Sequence, residues 1–246
     1  MKLSELFSIR DKIVIITGCG SGIGLELARG FILNGAQVIG ISRSRPQEKI
    51  DFKFFYECDL NDEKKLKSII QYIKDEKIRI NCLLNVAGIS IAQSVSQNEI
   101  SRFDQTFSTN VRSMFNIIIN LKPLFISGSS IINFSSIGAN LGFPDNPSYC
   151  ASKGAVLSLS RALSNDFGSQ NIRVNCITPG YFHTKMTTLS FKNSNEKNKR
   201  ENRTTLGRWG ELKELLGASI YLASDASSYV TGTELVIDGG WSTKGL

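Results

Sequence analysis

The β-branched run Ile13-Val14-Ile15-Ile16 passes directly into Thr17-Gly18-Cys19-Gly20-Ser21-Gly22-Ile23-Gly24, and a stretch of helical periodicity, Leu25–Leu33, follows at once. No other feature of the chain constrains its fold as much as this junction. A short apolar run bounded by glycine reads as a strand buried on both faces, as parallel strands are. The glycines let the backbone turn tightly and approach a ligand closely. The unpaired N–H groups and the dipole of the following helix then favour an anion. The spacing is T-G-x-x-x-G-x-G, with Gly18, Gly22 and Gly24 as its glycines, and it differs from the common G-x-G-x-x-G. Strand, glycine turn and helix N-terminus together predict a nucleotide site.

The remainder repeats this alternation. Strand-like runs at Lys12–Thr17, Gln37–Ser42, Phe52–Cys58, Asn81–Val86, Ser130–Ser135, Ile172–Thr178 and Thr233–Ile237 are separated by other segments. Among these, Leu25–Leu33, Glu63–Tyr72, Glu99–Leu121, Tyr149–Phe167 and Leu212–Leu222 carry apolar residues at helical spacing. The pattern predicts a doubly wound α/β fold, with a Rossmann-like seven-stranded parallel sheet, helices on both faces and right-handed crossovers. One domain would span residues 1–246. The irregular stretch 181–210 falls beyond the carboxyl end of the sixth strand, where such sheets bind ligands, and is expected to form a substrate lid.

Composition removes several function classes. The net charge of +7 is concentrated in Lys185, Lys192, Lys197, Lys199, Arg200, Arg203 and Arg208, opposed there only by Glu196 and Glu201. Such a block reads as a solvated face or a mobile insertion; no aromatic residues interleave it in a nucleic-acid-binding pattern, and an anionic small molecule or an acidic carrier protein could use it. No apolar run approaches the length of a membrane span, and Met1 to Asp11 lacks the apolar core of a secretion signal. The five cysteines (Cys19, Cys58, Cys82, Cys150, Cys176) are odd in number and form no Cys-x-x-Cys pair, which fits reduced thiols in a cytoplasm. His183 is the single histidine, so no imidazole-based metal site is expected; an incidental loop position suits it better than a substrate contact.

Further landmarks follow in order: Asn85-Val86-Ala87-Gly88, Asn110, Ser135-Ser136, Tyr149-Cys150-Ala151-Ser152-Lys153 and Pro179-Gly180. With the glycine turn, they make the chain from about Asp11 to Trp241 resemble the single-domain short-chain dehydrogenases/reductases. Val86 stands where that family usually carries a second asparagine. Tyr-x-x-x-Lys occurs twice, at Tyr149/Lys153 and Tyr181/Lys185. The first copy opens a helical stretch, which puts both side chains on one face, whereas the second follows Pro179-Gly180 in a segment that reads as loop.

The resemblance implies Asn110, Ser136, Tyr149 and Lys153 as the catalytic set. Tyr149 would exchange the proton, Ser136 would bond the substrate oxygen, and Asn110 would hold the chain and a water in a proton relay reaching Lys153. A free phenol has a pKa of about 10, and a neighbouring ammonium lowers it towards the working range. Lys153 would supply that charge and hold the nicotinamide ribose. The implied cofactor is a nicotinamide dinucleotide bound by Gly18, Ser21, Gly22, Ile23, Gly24, Ser42, Arg43, Asp59, Leu60, Asn85, Ala87, Gly88, Tyr149, Lys153, Pro179, Gly180 and Thr184. Of these, Asp59 would contact the adenine, Asn85 and Gly88 the ribose side, and Thr184 the nicotinamide amide. Ser42 takes the place of the acidic residue that would accept from a ribose 2′-OH, and Arg43 can pair with a 2′-phosphate, which favours NADP(H) over NAD(H). Ser21, which is not basic, speaks against it.

The segments 203–211 and 236–241 resemble relatives acting on sugar acids and polyols, and Pro179–Thr187 looks most like the loop of gluconate-type dehydrogenases. The expected substrate is therefore a small polar carbonyl or alcohol compound, a sugar acid fitting the basic lid. Two other readings are a ketoacyl reductase serving an acidic carrier protein and a non-catalytic dinucleotide-binding protein. The first would want an arginine where Gln170-Asn171 stand and a basic residue near Ile89-Ser90-Ile91; the second would not need the catalytic set. Relatives pair through helices matching Glu99–Leu121 and Tyr149–Phe167, so a homodimer or homotetramer is expected; Val156, Leu157, Leu159 and Leu163 either serve its interface or pack on the sheet.

Overall fold

The computed structural model describes residues 2–92 and 99–244. Its strands are β1 (Ile13–Thr17), β2 (Gln37–Ser42), β3 (Phe54–Glu57), β4 (Ile80–Asn85), β5 (Phe125–Phe134), β6 (Arg173–Pro179) and β7 (Glu234–Ile237). They form one sheet in the order β3-β2-β1-β4-β5-β6-β7, every neighbouring pair parallel. The order reverses between β1 and β4, which opens a crevice at the carboxyl ends of those strands. Side chains of β1 explain its unbroken apolar run: Val14 and Ile16 enter the core on one face of the sheet, Ile15 the core on the other.

The helices are α1 (Leu3–Leu6), α2 (Gly22–Leu33), α3 (Glu63–Asp75), α4 (Ile100–Phe107), α5 (Ser113–Leu121), α6 (Pro147–Gly168), α7 (Thr188–Lys192), α8 (Ser194–Arg203) and α9 (Glu214–Ala223). α2 and α9 cover one face of the sheet; α3, α5 and α6 cover the other. Two elements depart from expectation. The helix read over Glu99–Leu121 is divided by a π-helical turn at Ser108–Arg112, which carries Asn110. Such turns occur often at functional sites because they re-aim a side chain. The stretch 181–210, expected to be irregular, holds α7 and α8. α8 (SNEKNKRENR) buries none of its residues, so no apolar periodicity announced it; local ion pairs such as Arg200–Glu196 at 2.6 Å and an Asn193 cap support it.

The excursion 183–209 leaves and rejoins the body at one place. Phe182 pairs with Gly210 in an isolated parallel bridge, and Gly210 N donates to Tyr181 O at 2.9 Å. The C-terminal segment straps the far end: Thr205 Oγ1 donates to Gly240 O at 3.0 Å and Leu206 N to Gly239 O at 3.1 Å. Of the four residues suited from sequence either to an interface or to packing on the sheet, Val156, Leu157 and Leu163 pack into the core, because that side of α6 faces the sheet. Leu159 alone stands at a surface recess with Phe107, Val111 and Phe115. Among the described residues no helix is long and apolar enough to cross a membrane.

Candidate active site

A single cleft of about 550 Å3 runs along the carboxyl ends of the strands. At one end lies the glycine turn. Gly18 has φ +70°, and a Cβ there would stand 2.8 Å from the backbone N and Cα of Ala87, so two chain segments meet where only glycine fits. Thr17 Oγ1 ties the same segments together, accepting from Val86 N at 3.1 Å and Ala87 N at 3.2 Å. Ser21 is the N-cap of α2 but makes no side-chain capping bond, and the helix start faces the cleft. Such a cradle fits a phosphate.

Gly18, Ser21, Gly22, Ile23 and Gly24 line this end; Ser42, Arg43, Asp59 and Leu60 line the next stretch, and Ala87, Gly88, Pro179, Gly180 and Thr184 the middle. Ser42 Oγ accepts from Gly20 N at 3.1 Å, leaving its own proton available. Arg45 is drawn away to the sheet edge, 4.7 Å over the Phe55 ring and 3.7 Å from Glu57, so Arg43 is the arginine that faces the cleft.

Ser136, Tyr149 and Lys153 line the other end. Ser136, two residues beyond β5, caps a short 3-10 turn, its Oγ accepting from Gly138 N at 3.1 Å. Tyr149 and Lys153 lie one turn apart on α6, with Nζ 5.8 Å from the tyrosine ring centroid and bonded to Phe134 O at 2.8 Å. The expectation that the ammonium lowers the phenol does not hold in this geometry. Burial dominates both groups: it raises Tyr149, against a lowering influence of the Ser136 hydroxyl, and pushes Lys153 down to about 8.

Asn85, expected on the ribose side, stands behind the cleft, as does Asn110, expected to hold the chain. Asn85 is buried and is not among the residues that line the cleft; its Nδ2 donates to Asn133 Oδ1 at 2.8 Å inside the sheet, and its Oδ1 has no hydrogen-bond partner. Asn110 is also buried. Its Nδ2 donates to Ile89 O at 2.9 Å and Ser152 Oγ at 3.0 Å, while Oδ1 accepts from Ile89 N at 2.8 Å. Asn110 therefore braces the backbone just after Gly88, where a Cβ would stand 3.3 Å from both Asn110 Oδ1 and Lys153 Nζ. Sequence reasoning missed the cleft residues Thr109, Phe182, Met186 and Thr187. Thr109 adjoins Asn110 and the others follow Pro179-Gly180, so adjacency to a landmark was the available signal. The second Tyr-x-x-x-Lys is not a helical pair: Tyr181 sits among aromatic rings and Lys185 opens a 3-10 turn.

Residues 18–242 match the family model described as enoyl-(acyl carrier protein) reductase, a branch of the short-chain dehydrogenases/reductases. The chain belongs to the short-chain dehydrogenase/reductase family. It is an oxidoreductase acting on CH–OH groups, like the named dehydrogenases and reductases it matches. It is 34% identical to 2-dehydro-3-deoxy-D-gluconate 5-dehydrogenase of Pseudoalteromonas atlantica, over 96% of this chain and 98% of the relative. It is also 34% identical to the 3-oxoacyl-(acyl-carrier-protein) reductase of Chlamydia trachomatis, over 94% of this chain and 97% of the relative. Among solved structures, a gluconate 5-dehydrogenase of Burkholderia cenocepacia in complex with NADP and tartrate superposes with a TM-score of 0.91. The two are 28% identical, covering 99% of this chain and 100% of that one.

Proposed function

We propose that the protein is an NADP(H)-preferring reductase/dehydrogenase that interconverts a secondary alcohol and a ketone on a small sugar acid. The observation that carries this reading is the convergence of Ser136, Tyr149 and Lys153 on the cleft that also holds the glycine cradle. The nicotinamide dinucleotide, when bound, supplies or accepts the hydride. The chain's residues do the rest. Gly138 N–H occupies one lone pair of Ser136 Oγ, which leaves its proton to bond the substrate oxygen. In reduction, the proton on Tyr149 Oη passes to that oxygen as negative charge develops there. Lys153 Nζ spends one donor on Phe134 O and offers the others to the ribose and the phenol. Asn110 holds the wall in place through Ile89.

Arg43 at the cleft and the lack of a carboxylate at Ser42 support a 2′-phosphate. The excursion 181–210, pinned at Phe182–Gly210, suits a substrate lid, and its basic side chains suit an anion. The recess at Phe107, Val111, Phe115 and Leu159 suits pairing of two copies through α4–α5 and α6. The carrier-protein reading has the equal identity to the Chlamydia trachomatis reductase in its favour. Against it, Arg173, the cation nearest the place where that reading needs one, is buried and donates to Leu222 O at 2.9 Å and Ser224 O at 3.2 Å.

Absorbance at 340 nm tests the proposal directly, with keto-sugar acids, neutral keto-sugars and a ketoacyl thioester offered to the protein with NADPH or NADH. Turnover of a keto-sugar acid faster with NADPH is the expected result. Turnover of the thioester alone would replace it with the carrier-protein reading.

A further inference from the structure

Around Tyr181 the protein encloses donors without acceptors. Arg200 Nε, Trp209 Nε1 and Trp241 Nε1 are shielded from solvent and none has a hydrogen-bond partner. All three belong to side chains packed on the Tyr181 ring. The Arg200 guanidinium lies 4.9 Å from its centroid, the Trp209 ring 5.4 Å and the Trp241 ring 5.3 Å. Trp209 is only 7% exposed. Buried donors are almost always satisfied, so such a cluster calls for a ligand or an explanation. Contacts of N–H groups with the ring face are weak compensation. Glu196 meets Arg200 only through Nη1, at 2.6 Å, and leaves Nε free.

The cluster adjoins the cleft. Tyr181 follows Gly180 and precedes Phe182, both cleft residues. Phe143 lies 6.3 Å from both Tyr181 and Trp241, and a Cβ on Gly138, two residues beyond Ser136, would touch it. The donors sit on two bodies: Arg200 and Trp209 on the excursion, Trp241 on the C-terminal strap. For a ligand to reach these donors, the excursion and the strap would have to part near the Phe182–Gly210 bridge. Arg203 over Trp241 at 4.3 Å and Lys197 over Phe191 at 4.9 Å add positive charge around the same rings.

We propose that Arg200 Nε and the indole N–H groups of Trp209 and Trp241 form a subsite for the carboxylate of the substrate. The inference rests on the sugar-acid reading above and assigns the acid end to this cluster, away from the exposed lysines of the lid. A carboxylate brings acceptors only, which a donor-only site needs; a neutral hydroxyl end brings a donor of its own.

Trp209 and Trp241 are the two tryptophans of the chain, so intrinsic fluorescence reports on this site alone. The full-length protein, saturated with NADPH so that no oxidation occurs, is titrated with D-gluconate, D-glucitol and inorganic phosphate. Gluconate is expected to give a saturable change, and glucitol and phosphate none. Arg200→Gln weakens gluconate binding by about tenfold or more. Trp241→Phe keeps the ring and weakens it by about threefold. Lys199→Gln, which removes the same charge from the outer face of α8, changes it by less than about twofold. Glucitol or phosphate titrating like gluconate, or Arg200→Gln matching wild type, overturns the proposal. If Arg200→Gln does not fold, Trp241→Phe decides. Gluconate binding without turnover of any keto acid leaves the subsite standing and removes the sugar-acid reading. Turnover of neutral ketones without gluconate binding removes the subsite and leaves hydride transfer standing.

Discussion

The dinucleotide half of the cleft and the substrate half are held by different kinds of contact. The first is made of strand ends and the turns that follow them: Thr17 Oγ1 clamps Val86 and Ala87, and Gly18 packs on Ala87, all at the carboxyl ends of β1 and β4. The second is an excursion with a largely polar helix, pinned at its base by Phe182–Gly210 and strapped by Gly239 and Gly240. A site borne on a buried sheet is rigid because every backbone group is paired and both faces are packed. A segment with few buried apolar contacts opens at low cost. The comparison teaches that the glycine-turn end of the cleft is set by the core, while the excursion beside it is held by few buried apolar contacts.

That contrast can be broken experimentally. Tyr149→Phe removes the transferable proton, and kcat is expected to fall by about 10^2–10^4-fold in the 340 nm assay. NADPH affinity, read by cofactor fluorescence, should stay within about threefold because the ring and its packing remain. Gly18→Ala places a methyl against the Ala87 backbone at positive φ; a stability loss of about 1–3 kcal/mol in urea unfolding is expected, with NADPH affinity lost alongside. Arg43→Glu should lower the NADPH-to-NADH ratio of kcat/KM by about tenfold or more, with the substrate KM unchanged. At the lid, Thr205→Ala deletes one strap bond worth about 0.5–1.5 kcal/mol; the substrate KM should rise while NADPH affinity holds. Equal losses in both halves for Thr205→Ala would sink the distinction.

The smallest effect is one of pH. Burial lowers Lys153 from 10.5 to about 8, so between these values the unfolded chain keeps a proton that the folded chain has released. Stability from this group therefore increases as pH rises through that window, and the urea midpoint of wild type should gain on that of Lys153→Met. NADPH affinity should move the other way, weakening above about 8 as the ammonium beside the cofactor cleft is lost.

Much of the dinucleotide half was legible because its determinants are local. Thr17 to Gly24 compress strand, turn and helix start into adjacent residues, and a parallel strand buried on both faces must be apolar throughout. Ser136, Tyr149 and Lys153 were readable for the same reason: each follows a strand end or shares a helix face. The resemblance puts Asn85 on the ribose side, yet its Nδ2 bonds Asn133 within the sheet; the Asn110 amide holds the chain at Ile89. The direction in which a polar side chain turns depends on partners such as Asn133 and Ile89, which are distant in sequence. α8 escaped notice because a solvent-exposed helix carries no apolar period.

By itself, then, the sequence determined the seven-stranded parallel architecture, the glycine turn at the start of α2 and the identity of the hydroxyl and lysine side chains at the far end of the cleft. Apolar period, glycine spacing and i,i+4 placement are properties of neighbouring residues. Only the tertiary structure decided that Val156, Leu157 and Leu163 serve the core, that Lys153 is governed by burial, and that Arg200, Trp209 and Trp241 meet on Tyr181. Burial, ionisation and the convergence of donors depend on which segments the folded chain brings together, and no local pattern encodes that.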